Sequence, residues 1–147
     1  MKHARLYAAA GAVIALDRLT KALLADADRV LIPGLFALRG TRNTGMAFGL
    51  LAGGGWFLIL VTALFIAGAL LYVRNKSLPR LGQYGLGLLL GGAAGNLVDR
   101  VLWGYVIDFI EPLFVRFAVF NLADVGVTVG TGLLLIYLLF GKEDASA

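Results

Sequence analysis

The sequence predicts a mainly α membrane protein: four transmembrane helices, a small extracytoplasmic β-sheet and an amphipathic outer segment. Three observations carry that expectation. The chain is 60% hydrophobic and 15% charged, with a mean hydropathy of +0.87, whereas soluble domains carry about 25% charged residues. Four apolar stretches, 6–24, 56–73, 81–102 and 119–140, approach the roughly 20 residues a helix needs to cross a hydrocarbon core. Nearly every polar group within those stretches gathers at one end of them.

The 147 residues suffice for one domain, 1–147, and not for a second. The net charge of +4 lies in short flanking clusters rather than a stripe, so nucleic acid is not an expected partner. The chain has no Cys, which excludes disulfides, zinc-thiolate centres and a thiol nucleophile but says nothing about compartment.

The first stretch follows Met1-Lys2-His3-Ala4-Arg5 and superficially resembles a signal peptide. Asp17, Arg18 and Lys21 stand where a small-residue cleavage site is expected, so it reads as a retained first helix. Asp17 and Lys21 are four apart with the acid first, a favourable helical ion pair, and are read as structural. An outer loop, 25–55, follows, with Pro33, several glycines and the alternating Leu35-Phe36-Ala37-Leu38-Arg39. That alternation predicts a small extended sheet at the membrane surface.

The third stretch holds Gly82, Gly85, Gly87, Gly91, Gly92 and Gly95. Small residues let helix backbones approach closely in a membrane, which predicts a central helix. The second outer loop, 103–118, is amphipathic and aromatic, with Trp103, Tyr105, Phe109, Phe114 and Phe117. Such rings suit a segment at headgroup level. An even number of spans puts both termini on one side. That side carries Lys2, Arg5, Arg74, Lys76, Arg80 and Lys142 in short segments, which predicts cytoplasmic termini.

The polar residues converge on the opposite side. The third stretch ends in Asn96-Leu-Val-Asp99-Arg100, Asp108 lies in the connection, and the fourth stretch starts near Asn121 with Asp124 in its first turn. An ionisable group at the edge of hydrocarbon is costly to keep, and a functional role is the default reading. Two carboxylates that share a proton and a water can act as acid and base. Desolvation favours a neutral Asp108, and the helix dipole favours a charged Asp124, which makes Asp124 the base. The alternative makes Asp124 a helix cap and Asp108 a salt-bridge partner of Arg100 or Arg116. Asn96 and Arg100 share a helical face, as carbonyl-binding groups or as bundle glue, with Arg100 paired to Asp99 or snorkelling. Asn43, beside Gly45, reads in isolation as a turn residue.

Together, five ordered blocks resemble one family. They are Asp17-Arg-Leu-Thr20-Lys21, Asn43-Thr-Gly45-Met-Ala47-Phe48, Gly91-Gly-Ala-Ala-Gly95-Asn96-Leu-Val-Asp99-Arg100, Gly104-Tyr-Val106-Ile-Asp108-Phe109 and Phe120-Asn121-Leu-Ala123-Asp124. They look like the motifs of lipoprotein signal peptidase, signal peptidase II, and the likeness extends over 17–130. The resemblance implies a bacterial inner-membrane aspartic endopeptidase with its active site near the periplasmic face. It would cut prolipoproteins just before a cysteine carrying a diacylglyceryl group. Asp108 and Asp124 would be the catalytic dyad; Asn43, Gly45, Asn96, Arg100 and Asn121 would position substrate or support the dyad. Membrane lipid and globomycin-like inhibitors are the other expected partners, a monomer is the expected state, and neither cofactor nor metal is expected. Three rivals remain in view: a proton-coupled transporter, a non-catalytic membrane scaffold, and a metal-dependent lipid-headgroup enzyme using Asp99, Asp108, Glu111 and Asp124.

Overall fold

The computed structural model describes residues 2–45 and 54–140. Met46, Ala47 and Phe48 of the second motif block, and Lys142 of the charge count, lie outside the described residues. Four long helices appear where the apolar stretches predict them: α1 (Ala4–Leu24), α2 (Gly55–Arg74), α3 (Arg80–Trp103) and α4 (Leu122–Phe140). Three strands lie between them: β1 (Asp28–Ile32), β2 (Phe36–Asn43) and β3 (Val106–Pro112).

α3 is the centre of the bundle and touches the other three helices. Its glycines are the reason. A Cβ on Gly91 would stand 2.7 Å from the Ala10 carbonyl oxygen of α1, and one on Gly92 would stand 2.9 Å from the Val127 nitrogen of α4. Any larger residue would push a neighbouring helix away. At the chain-terminal end Leu6, Val73, Leu86 and Leu90 close a small apolar core. The outer surfaces stay oily: Trp56, Phe57, Leu60 and Leu64 on α2, and Leu135, Leu138 and Leu139 on α4, are all exposed. An apolar surface that large suits lipid rather than water.

Among the described residues, α2 and α4 are long and apolar enough to cross a membrane. α1 and α3 are equally long but carry Asp17, Arg18, Lys21, Gln83, Asp99 and Arg100, which dilute their hydropathy. Asp17, Lys21 and Asp99 do not face outward; all three are buried between the helices.

The sheet has the order β1-β2-β3 and is antiparallel throughout. Its first hairpin turns at Pro33-Gly34, with Gly34 at φ 75° and Leu35 N–H donating to the Ile32 carbonyl at 3.0 Å. Proline at the first central position and a positive-φ glycine at the second is the type II pattern. Arg39 ties the sheet together, reaching Asp28 at 3.4 Å and Glu111 at 2.7 Å.

β3 adds a strand to the amphipathic outer segment expected over 103–118. Seven of those residues are the third strand, paired with β2 so that Thr41 faces Asp108 and Asn43 faces Val106. The run Val106-Ile-Asp-Phe-Ile110 has the β-branched and aromatic composition of a strand. Its aromatic neighbours masked that signal. Gly104, at φ 77°, ends α3 and turns the chain into β3.

Candidate active site

The start of α4 is held by a reciprocal pair. Asp124 N–H donates to Asn121 Oδ1 at 3.0 Å, and Asn121 N–H donates to Asp124 Oδ2 at 3.1 Å. Asn121 is thus the N-cap and Asp124 the third residue of the helix, the arrangement of a capping box. Capping and a functional role are therefore not alternatives for Asp124. The cap fixes the rotamer of its carboxylate.

The same Asn121 reaches across to β3. Its Nδ2 donates to Asp108 Oδ1 at 2.6 Å and to the Ile107 carbonyl at 3.3 Å. From β2, Asn43 Nδ2 donates to Asp108 Oδ2 at 2.9 Å. This diagonal contact follows from the register that sets Thr41 opposite Asp108. Gly45 N–H donates to Asn43 Oδ1 at 3.0 Å, so the amide is oriented with its NH2 group toward the carboxylate. Among the described residues Asp108 makes no ion pair, so Arg100 and Arg116 are not its salt-bridge partners.

Asp108 is only 3% exposed. Burial pushes its pKa up to about 6, and the charge of Asp124 adds to that rise; the hydrogen bonds from Asn43 and Asn121 and the charge of Lys21 oppose it. At about pH 6 this carboxyl is poised between its acid and base forms.

Asp124 has a second support from α3. Asn96 Nδ2 donates to Asp124 Oδ1 at 2.8 Å, while Asn96 Oδ1 accepts from Asn121 Nδ2 at 3.1 Å and from Lys21 Nζ at 3.0 Å. Lys21 also pairs with Asp17 at 2.9 Å and with Asp99 at 2.8 Å. Asp17 in turn accepts the Ala123 N–H of α4 at 3.1 Å. Gly95 leaves room for that carboxylate, because a Cβ there would stand 2.8 Å from Asp17 Oδ2. Arg18 completes the cluster, pairing with Asp17 at 3.1 Å and with Asp99.

Arg100 does not pair with Asp99. Its Nη2 donates to the Gly45 carbonyl at 2.8 Å, and its side chain borders a groove of about 570 Å³. Asn43, Asn96, Asp108 and Asp124 form the polar wall of that groove; Phe117, Val119, Val125 and Val129 belong to its apolar wall. Val125 and Val129 stand one turn apart on the exposed face of α4, so the groove opens sideways along the helix. Among the described residues no group of three or more His, Asp or Glu is placed to hold a metal ion. Asp99 faces Lys21 and Glu111 faces Arg39, so the four acids of the metal-enzyme rival do not form one ligand set.

Residues 9–140 match the family model described as signal peptidase (SPase) II. The chain belongs to the signal peptidase II family. It is therefore a hydrolase acting on peptide bonds. The lipoprotein signal peptidase of Symbiobacterium thermophilum is 42% identical to it over 91% of this chain and 93% of its own. That of Brevibacillus brevis is 38% identical over 94% and 97%. Two solved bacterial membrane enzymes share the fold. One has a TM-score of 0.86 at 29% identity, covering 97% of this chain and 93% of its own; the other has 0.82 at 30%, covering 93% and 94%.

All ten candidate residues from the sequence lie in or beside this site. Asn43, Asn96, Arg100, Asp108 and Asp124 border the groove, Gly45 and Asn121 orient them, and Asp17, Lys21 and Asp99 form the buried cluster behind. Arg18 was not among them. A charge beside Asp17 inside an apolar helix was the available signal.

Proposed function

We propose that this signal peptidase II is an aspartic endopeptidase with Asp108 and Asp124 as its catalytic pair. One observation carries the reading: Asn121 binds Asp108 through its side chain and Asp124 through its backbone, so carboxylates from β3 and α4 border one groove. Asp124 takes a proton from a water that attacks the scissile carbonyl carbon, Asp108 protonates the carbonyl oxygen, and the tetrahedral intermediate collapses as Asp124 passes its proton to the leaving amine and Asp108 recovers its own. Asn43, Asn96 and Asn121 hold the two carboxylates, and Arg100 stands at the rim as a donor for substrate backbone.

The substrate is a prolipoprotein cut immediately before a diacylglyceryl-modified cysteine, in keeping with the relatives named lipoprotein signal peptidase. The sideways opening along Val125 and Val129 suits a chain that arrives from the bilayer. We place all four helices across a bacterial inner membrane, with cytoplasmic termini and the sheet at the periplasmic surface. The protein acts as a monomer, and globomycin-like peptides inhibit it by occupying the groove.

The test is cleavage of a diacylglyceryl-modified prolipoprotein peptide by the purified full chain in detergent. Hydrolysis should need the lipid and be indifferent to chelator. Efficient cleavage of the unmodified peptide, or loss of activity in EDTA that added cation restores, contradicts the reading.

A further inference from the structure

The cluster behind the groove is built from four ion pairs among Asp17, Arg18, Lys21 and Asp99. Lys21 has three N–H donors and no acceptor. Two go to Asp17 and Asp99 at 2.9 and 2.8 Å, and Arg18 also pairs with both acids, so two acids and two bases balance. The third goes outside the ion cluster, to Asn96 Oδ1 at 3.0 Å.

That bond and the Asn121 Nδ2 donation to the same oxygen together set the orientation of the Asn96 amide. If the amide were flipped, its NH2 group would face the Lys21 ammonium and the Asn121 NH2 group, donor against donor. With Lys21 present, Oδ1 must face inward and Nδ2 must face Asp124 Oδ1, where it donates at 2.8 Å. Asp17 reinforces the arrangement by accepting the N–H of Ala123, the residue before Asp124. α1 therefore governs the start of α4 by two routes without bordering the groove.

We infer that Lys21 is a positioning residue for the hydrolysis, holding Asp124 as the proton-accepting carboxylate of the pair through the amide of Asn96. The inference rests on the reading of Asp108 and Asp124 proposed above. Among the described residues, the charged groups that act on Asp124 are Asp17 and Lys21 from α1, Arg100 from α3 and Asp108 from β3, with Arg18 and Asp99 paired to Asp17 and Lys21 behind them. Of the three bases, Lys21 is the one joined to Asp124 through the side-chain amide of Asn96.

Lys21→Met alone would strand two buried acids, so the variant to use is Lys21→Met/Asp99→Asn, which leaves Asp17 paired with Arg18. With the diacylglyceryl-modified peptide as substrate, kcat should fall about ten- to a hundredfold at unchanged KM. The acid limb of the kcat profile should move to higher pH, because Asp124 loses a donor and a nearby positive charge. Asn96→Ala should move the limb the same way, and combining the changes should add little further. In a folded double variant, wild-type kcat with an unmoved limb overturns the inference.

A second measurement leaves Lys21 intact. In protein labelled with 15N-lysine, the Lys21 Nζ resonance should change position as Asp124 takes up its proton along the acid limb, and Asp124→Asn should abolish that change. A Lys21 resonance that never moves overturns the inference even if the double variant does not accumulate. An active Asp124→Asn enzyme removes the proposed mechanism itself. An inactive one beside an unshifted double variant removes only the role of Lys21.

Discussion

Asn121 and Asp108 are joined by a 2.6 Å hydrogen bond, although one caps a helix and the other lies in a strand thirteen residues earlier. The bond ties the start of α4 to the centre of β3, and so brings two carboxylates from separate elements to the edge of one groove. The functional expectations follow from that tie.

Asp108→Asn and Asp124→Asn should each lower turnover by at least about a hundredfold while leaving the protein in the membrane. Each change keeps side-chain volume and removes one proton-transfer group. Near-normal cleavage by either variant, at matched membrane abundance, would end the dyad reading.

Asn121→Ala should damage both activity and stability. It removes the N-cap of α4, typically about 1 kcal/mol, and leaves Asp108 without one of its two side-chain donors. A lower thermal midpoint in detergent together with reduced turnover is expected. Loss of stability with full specific activity would mean that Asn121 only caps the helix.

The raised pKa of Asp108 gives a signed pH dependence. The folded protein holds this proton up to about pH 6, while the unfolded chain releases it near 3.8. Between those values the native state binds more protons, so this group's contribution to stability declines as pH rises and is lowest above about 6. The stability of Asp108→Asn relative to the parent should therefore rise by on the order of 2 kcal/mol between pH 4 and pH 7, on top of a pH-independent cost where its NH2 group faces the Asn43 or Asn121 donor. Urea or thermal unfolding at the two pH values reads it directly, and a difference that does not change with pH contradicts it.

The glycine faces of α3 and α1 should respond oppositely to one methyl group. A Cβ on Gly92 would meet the Val127 nitrogen at 2.9 Å, whereas one on Gly11 meets nothing within 4 Å. Gly92→Ala should destabilise by about 1–3 kcal/mol and lower turnover, because it pushes on the helix that carries Asp124. Gly11→Ala should be neutral or stabilising by up to about 1 kcal/mol. Equal behaviour of the two would mean that α3 and α4 are not packed this closely.

Arg100→Ala should impair processing more than Arg74→Ala. Arg100 borders the groove and donates to the Gly45 carbonyl, whereas Arg74 is exposed at the end of α2. Indistinguishable turnover of the two variants at equal abundance would remove Arg100 from the site.

The four helices were legible in the sequence because a long apolar run has one stable local form and its length reports its span. The gathering of Asn96, Arg100, Asp108, Asn121 and Asp124 was legible for a related reason: residues near adjacent ends of successive helices share a depth. Pairing was not legible. The strand character of Val106–Pro112 depends on β2 lying alongside, and Asn43 meets Asp108 only through the register of those two strands. The role of Arg18, and the line from Lys21 through Asn96 to Asp124, depend on how closely α1, α3 and α4 approach. That distance is decided by glycines packing against a partner helix. Periodicity along one chain segment reports which face is buried, and only the tertiary structure reports what that face meets.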